Sequence, residues 1–386
     1  MFNFTSLPPL ALYIHFPWCV QKCPYCDFNS HELKTTLNEK QYIDALVHDL
    51  EQELPAIWGR GISSIFMGGG TPSLFSPESI DQLLSSLRAR LGFSSTIEIT
   101  MEANPGTTDL EKFSEFRQAG INRLSIGIQS FQNDKLEKLG RIHDRNQAIH
   151  AAEHAHVAGF DNFNLDLMFG LPRQNLKQAI EDINTAIALE PTHISHYQLT
   201  IEPNTYFYKH PPLVPEDDLL WDMQTACIQQ LEKNNYLHYE VSAYAQEKFQ
   251  CQHNVNYWQF GDYLGIGAGA HGKLTNAPEQ KIIRSWKVKN PKDYLQYAQT
   301  EQRIAGSNSL SRKDAAFEFM LNALRLHNGF DTSLFQQHTG LPISIIEQNL
   351  KLAEEKGWID WRTNHIMPTT TGKQYLNTLL ELFLPD

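Results

Sequence analysis

The chain has 386 residues, with 32 Lys plus Arg against 44 Asp plus Glu, and so a formal charge of −12. Two or three domains of roughly 150 residues each can fold without disulfides, and 41% hydrophobic with 20% charged residues excludes a disordered chain. The acidic balance argues against nucleic acid as a partner, because phosphate binding needs a strongly basic face.

Short apolar runs alternate with amphipathic stretches over the first two thirds of the chain. Strands are expected at Ala11–Phe16, Ile62–Met67, Thr96–Glu102, Arg123–Ile128, Asn162–Met168 and His193–Leu199. Helices are expected between them at Glu39–Leu54, Pro77–Leu91, Asp109–Ala119, Arg145–Ala158 and Asn175–Leu189. Pro77 at the first helical position behind Ser76 is a helix-start signal, and Leu176, Ile180, Ile183 and Ile187 form one apolar stripe. Such alternation implies an α/β fold with a parallel sheet and right-handed crossovers, here a partial (β/α)6 barrel short of the eight units that close one. This barrel is expected over 1–245, and its chemistry at the C-terminal ends of the strands. His193 and His196 are three residues apart on a strand, so only one of them can face inward.

Past residue 245 the alternation stops. The stretch 246–310 reads as a glycine-rich and polar connector, loose over Gly261–Gly272 and polar over Asn290–Ser309. Over 311–386 three helical patterns precede strand candidates at Trp358–Arg362 and His365–Pro368, a winged-helix-like α+β module. Its seven Lys or Arg against nine Asp or Glu suit a protein contact or lid better than a DNA reader.

Five cysteines are too few for a disulfide scaffold. There is no charged-then-apolar leader and no run of about 18 apolar residues, so a reducing cytoplasm is the expected compartment. Three cysteines, Cys19, Cys23 and Cys26, follow the first strand as C-x3-C-x2-C. Three thiolates can hold three irons of a cubane cluster and leave the fourth iron open to a small molecule. A structural zinc site would need a fourth protein ligand, for which His15 and His31 are nearest in sequence.

That spacing, with Tyr25 before the last cysteine, resembles the radical S-adenosylmethionine (SAM) superfamily. The resemblance implies a [4Fe-4S] cluster whose open iron chelates SAM, and reductive cleavage of SAM to a 5′-deoxyadenosyl radical. The later motifs follow strands in order: Gly68-Gly69-Gly70-Thr71-Pro72, Met101-Glu102-Ala103-Asn104-Pro105, Ser125 to Phe131 with Gly140-Arg141-Ile142-His143, and Asp166 to Pro172. Taken singly, the glycines read equally as a tight turn and Glu102 as a salt-bridged strand end. Together they resemble the branch that holds oxygen-independent coproporphyrinogen III oxidase and the haem chaperones. The resemblance implies SAM-contacting roles for Tyr13, Tyr25, Gly69, Gly70, Thr71, Glu102, Gln129, Arg141 and Asp166.

Within that branch two features depart from the oxidase. Phe28 stands where the oxidase carries a further cysteine, and only 18 residues precede Cys19, too few for its N-terminal arm. His253-Asn254-Val255-Asn256-Tyr257-Trp258 resembles the H-N-x-x-Y-W motif of the haem chaperones. The implied activity is haem binding and delivery to respiratory haemoproteins, with transient membrane association left open. His253 is the candidate haem ligand, since imidazole ligates haem iron and aromatic rings pack on porphyrin; a partly buried structural histidine is the alternative. The competing functions are the oxidase itself and a zinc-stabilised regulator with a winged-helix DNA-binding tail.

Overall fold

The computed structural model describes residues 2–385, apart from the side chains of residues 107–111. Six parallel strands form its centre: β1 (Leu10–Phe16), β2 (Gly61–Gly69), β3 (Gly92–Ala103), β4 (Arg123–Gln129), β5 (Phe163–Phe169) and β6 (His193–Gln198). Every strand expected from the alternation is present. Helices α1 (Glu39–Glu53), α2 (Pro77–Arg88), α3 (Thr107–Ala119), α5 (Arg145–Val157) and α6 (Leu176–Ala188) cross over between them, and α4 (Asn133–Lys138) is an additional short turn before α5. Ser76 accepts a hydrogen bond from the Ser79 amide and caps α2, and Asp144 and Asn175 close capping boxes on α5 and α6. The helices bury one face on the sheet, joining Leu46, Leu83, Phe116, Ala151 and Ile183 to Leu12, Ile65, Ile99, Leu124 and Leu165 in a single apolar core.

The opposite face of the strands is polar, which is why each strand alternates. Ser64, Glu98, Thr100, Glu102, Arg123, Ser125, Asn164, Asp166, His193, Ser195 and Tyr197 occupy alternate positions on β2 to β6. His193 bonds into this interior, whereas His196 packs on Phe169 behind it, as a step of three requires.

The region past residue 245 differs from the expectation of a loose connector. It supplies α9 (Gln252–Trp258), β9 (Asp262–Ile266), β10 (His271–Asn276), β11 (Lys281–Lys287), α10 (Pro291–Tyr297) and β12 (Ile304–Ser309). Beyond β6 lie α7 (Tyr206–Lys209), α8 (Asp217–Lys233), β7 (Leu237–Glu240) and β8 (Ala243–Ala245). The sheet then has twelve strands in the order β12-β11-β10-β9-β1-β2-β3-β4-β5-β6-β8-β7, with β9 parallel to β1. Glycines hid β9 from the hydrophobic period: a side chain at Gly265 would lie 2.0 Å from the His271 carbonyl oxygen, so the residue needed there contributes no apolar signal. The outer strands are pinned from below by Asp49 of α1, which accepts from Lys287 at 2.7 Å, Arg303 at 2.9 Å and Tyr294 at 2.8 Å.

The C-terminal part has a core of its own around Phe319, Phe335, Leu350, Ile359 and Ile366, which Phe4, Phe260 and Ile282 also enter. Helices α11 (Arg312–Ala323), α12 (Thr332–Thr339) and α13 (Glu347–Glu355) precede a wing in which β14 (Ile359–Arg362) and β15 (His365–Pro368) pair antiparallel. A two-residue strand, β13 (Phe330–Asp331), completes the wing. No helix among the described residues is long and apolar enough to cross a membrane.

Candidate functional site

At the C-terminal ends of the central strands lies a cavity of about 510 Å3, lined by Cys19, Cys23, Tyr25, Cys26, Gly69, Gly70, Thr71, Glu102, Gln129, Arg141 and Asp166. One residue expected there, Tyr13, is elsewhere. Tyr13 lies deeper in the barrel, between Phe66 and His253, with its hydroxyl 3.0 Å from His15 Nδ1. His253 lies at the barrel's other end, on α9, and does not line the cavity.

The cysteine loop is held from both sides. Trp18–Cys19 pairs in parallel with His31–Glu32, and Lys22 Nζ donates to the carbonyls of Phe28 and Ser30, each at 3.1 Å. Gly70 and Thr71 amides donate to the Phe16 and Trp18 carbonyls at 2.7 Å, drawing the end of β2 onto the start of the loop. A side chain at Gly70 would lie 2.4 Å from the Trp18 oxygen, and one at Gly69, whose φ is +103°, would meet the His15 ring. These glycines are therefore required by the packing of the chain on itself as well as by any ligand.

All three cysteines are free and partly exposed. Burial pushes the Cys19 and Cys26 thiols up, offset by the hydroxyls of Thr71 at Cys19 and of Ser30 at Cys26. Arg141 donates to Cys23 Sγ at 3.6 Å and to the Asn104 side chain and Gly127 carbonyl at 2.7 Å each, which aims its guanidinium between the loop and β4. Among the described residues no three His, Cys, Asp or Glu side chains converge on a single ion. His15, one nearby candidate for a fourth zinc ligand, has both ring nitrogens engaged, by Tyr13 and by the Asn29 carbonyl at 2.9 Å.

Register builds the opposite wall. Glu102 pairs with Ser125, Gly127 with Asp166 and Asp166 with Ser195, so their side chains share one face. A bulge between Gly127 and Gln129 puts Gln129 at φ +65°, a left-handed conformation that rotates its amide into the site, where Oε1 has no partner. Glu102 accepts from the Gly69 amide at 3.1 Å; burial, then the charge of Asp166, pushes its carboxyl up to about 8. Burial also raises Asp166, against donors on Asn164 at 2.8 Å and Ser125 at 2.9 Å. Three thiols for a cluster, with two carboxylates that crowd each other and so favour a cationic ligand, fit a [4Fe-4S] cluster and a sulfonium such as SAM.

The motif reading passed over Asn104, which joins Arg141 to Thr71 (2.8 Å), and Tyr197, which lines the cavity from β6. Asn104 stands inside the strand-three motif, and Tyr197 could have been placed by counting in twos from His193. His253 is 1% exposed, with Nδ1 3.0 Å from Ser64 Oγ and Nε2 2.9 Å from Tyr257 Oη. Burial lowers its imidazole to about 3, so it is neutral. Either nitrogen could reach a metal only after one of these bonds opens.

Comparison with known proteins follows the same lines. A family model described as the radical SAM superfamily matches residues 13–186, and one described as the HemN C-terminal domain matches 310–375. Proteins named heme chaperone HemW are 50% identical in Haemophilus influenzae (99% of both chains), 47% in Escherichia coli (99% of this chain, 100% of that one) and 33% in Bacillus subtilis (97% and 99%). The solved coproporphyrinogen III oxidase HemN from Escherichia coli matches in fold, with a TM-score of 0.82 at 23% identity over 98% of this chain and 90% of that one. The chain belongs to the HemW-type heme chaperone family of the radical SAM superfamily.

Proposed function

We propose that this chain is a cytoplasmic haem chaperone that holds a [4Fe-4S] cluster on Cys19, Cys23 and Cys26, binds SAM and haem, and delivers haem to respiratory haemoproteins. The observation that carries the reading is the cavity, where three free thiols and two crowded carboxylates line one volume at the strand ends. The names of the relatives, heme chaperones at 47% and 50% identity, support the haem part. Phe28, 58% exposed on the cavity rim where an oxidase would carry a cysteine, favours the chaperone over the oxidase.

In this reading the three thiolates leave one iron free, and Gly69, Gly70 and Thr71 present backbone and hydroxyl groups to the amino-acid end of SAM. Arg141 grips its carboxylate, with Gln129 beside it. Glu102 supplies negative charge to the cationic end, and Asp166 accepts from ribose hydroxyls. Tyr25 packs over the ligand and Tyr13 supports the floor. When bound, the cluster and SAM supply one-electron reduction of a sulfonium. Haem ligation by His253 belongs to the same proposal and requires the imidazole to give up its bond to Ser64 on β2 or to Tyr257 one turn along α9. So does a C-terminal module over 311–386, set apart from the barrel sheet that 246–310 extends.

One cluster-loaded, anaerobic sample tests the reading by haem titration, SAM turnover and incubation with coproporphyrinogen. Haem binding without propionate loss is expected. Failure to bind haem refutes the chaperone, and formation of protoporphyrinogen replaces it with the oxidase. Cys19→Ala, Cys23→Ala and Cys26→Ala should each abolish the cluster's visible absorption; an unchanged spectrum removes that residue from the ligand set.

A further inference from the structure

The barrel interior below the cavity is filled by a hydrogen-bonded chain of one polarity. The Cys251 amide, at the N-terminus of α9, donates to Tyr239 Oη at 3.4 Å, and Tyr239 Oη lies 2.8 Å from His193 Nε2. His193 Nδ1 lies 2.7 Å from Asn164 Oδ1, and Asn164 Nδ2 donates to Asp166 Oδ1 at 2.8 Å. The directions are set chemically. Asp166 as a carboxylate can only accept, which turns the Asn164 amide group toward it and its carbonyl toward His193. His193 must then donate from Nδ1 and accept at Nε2, so the Tyr239 hydroxyl donates to it. Burial keeps the His193 imidazole neutral, as that tautomer requires. Asn164, His193, Tyr239 and Cys251 are all buried.

The first turn of α9 has further anchors: His253 Nδ1 lies 3.0 Å from Ser64 Oγ on β2. Glu98 accepts from the amides of Gln252 and His253, at 3.1 and 3.2 Å. The helix that carries His253 is thus attached to the barrel through Ser64 on β2, through Glu98 on β3 and, by way of Tyr239, through the same residues that orient Asp166.

We propose that Asn164, His193 and Tyr239 are positioning residues that couple the Asp166 carboxylate on the cavity wall to the N-terminus of α9, so that a ribose-bearing ligand at Asp166 and the seating of the His253 helix stabilise each other. The proposal rests on the reading of the cavity as a SAM site. Coupling of this kind is reciprocal: ligand at Asp166 tightens α9, and loosening α9 weakens the ligand. It gives the buried HNxxYW helix a connection to the cavity that distance alone denies it.

The test uses the cluster-loaded full chain, SAM affinity by calorimetry, and hydrogen exchange of the amides at 251–257. Tyr239→Phe removes one hydroxyl and little volume. It should raise the SAM Kd about fivefold, the size of one net hydrogen bond, and remove the protection that SAM confers on α9 in the unaltered protein. In an Asp166→Ala background, where Asn164 has lost its acceptor and the chain is cut, the same change should leave the Kd within about twofold; a general loss of stability would persist there. Asp166→Ala alone, which removes the acceptor of Asn164, should speed exchange at 251–257 without any ligand, a readout independent of whether Tyr239→Phe folds. If the unaltered protein binds SAM and neither variant changes α9 exchange or its coupling to SAM, the relay is refuted. If the unaltered, cluster-loaded protein does not bind SAM, the cavity assignment falls, and the relay with it.

Discussion

Replacing Glu102 by Gln should stabilise the ligand-free protein above neutral pH. Its carboxyl is pushed from 4.5 up to about 8, first by burial and then by Asp166, so the folded state resists the charge that the unfolded chain accepts freely. The stability associated with a neutral Glu102 is fully present below pH 4.5 and is lost as pH rises to about 8. At about 1.36 kcal/mol for each pH unit, the full interval is worth roughly 5 kcal/mol. Glu102 keeps part of its surface open to the cavity, where water screens the charge, so about 1–3 kcal/mol is the expected gain. Urea denaturation of both proteins without cofactors, at pH 5 and at pH 8.5, measures it. The curves should nearly coincide at pH 5 and separate at pH 8.5 with Glu102→Gln the more stable. Equal stabilities at pH 8.5 would refute the reasoning. The same carboxylate should bind a cationic ligand better as pH rises toward 8, with proton release that Glu102→Gln lacks, readable by calorimetry in buffers of different ionisation enthalpy.

His253→Ala should cost about 2–4 kcal/mol, because it opens a cavity and leaves the Ser64 and Tyr257 hydroxyls unpaired in the barrel. The unfolded chain protonates this imidazole near 6.5 and the folded one only near 3, so native stability falls as pH drops below 6.5, and the variant should show a shallower fall. Unchanged urea stability would contradict the buried placement. Asp49→Ala strips Lys287 and Arg303 of a shared buried acceptor and should cost about 3–5 kcal/mol with little dependence on salt; a loss below about 1 kcal/mol would show that Glu53 alone suffices.

The sequence by itself determined the central strands, their crossover helices and the C-terminal wing, because apolar periods of two and 3.6 residues report directly which faces must leave water. It also brought together the chemistry of the cavity rim: the spaced cysteines, and one polar motif after each strand. Tertiary structure alone decided three matters. It showed that Gly261–Gly272 contains a strand, since glycines demanded by close backbone approach erase the pattern that would reveal it. It separated Tyr13 from the cavity its motif suggested and buried the candidate haem ligand His253 in the barrel, because a side chain's depth along a barrel depends on which strand or helix end it meets. And it aligned Asn164, His193 and Tyr239 in one buried chain. Those residues lie far apart in sequence, and only strand register and the hydrogen-bond demands of a closed interior bring them into line.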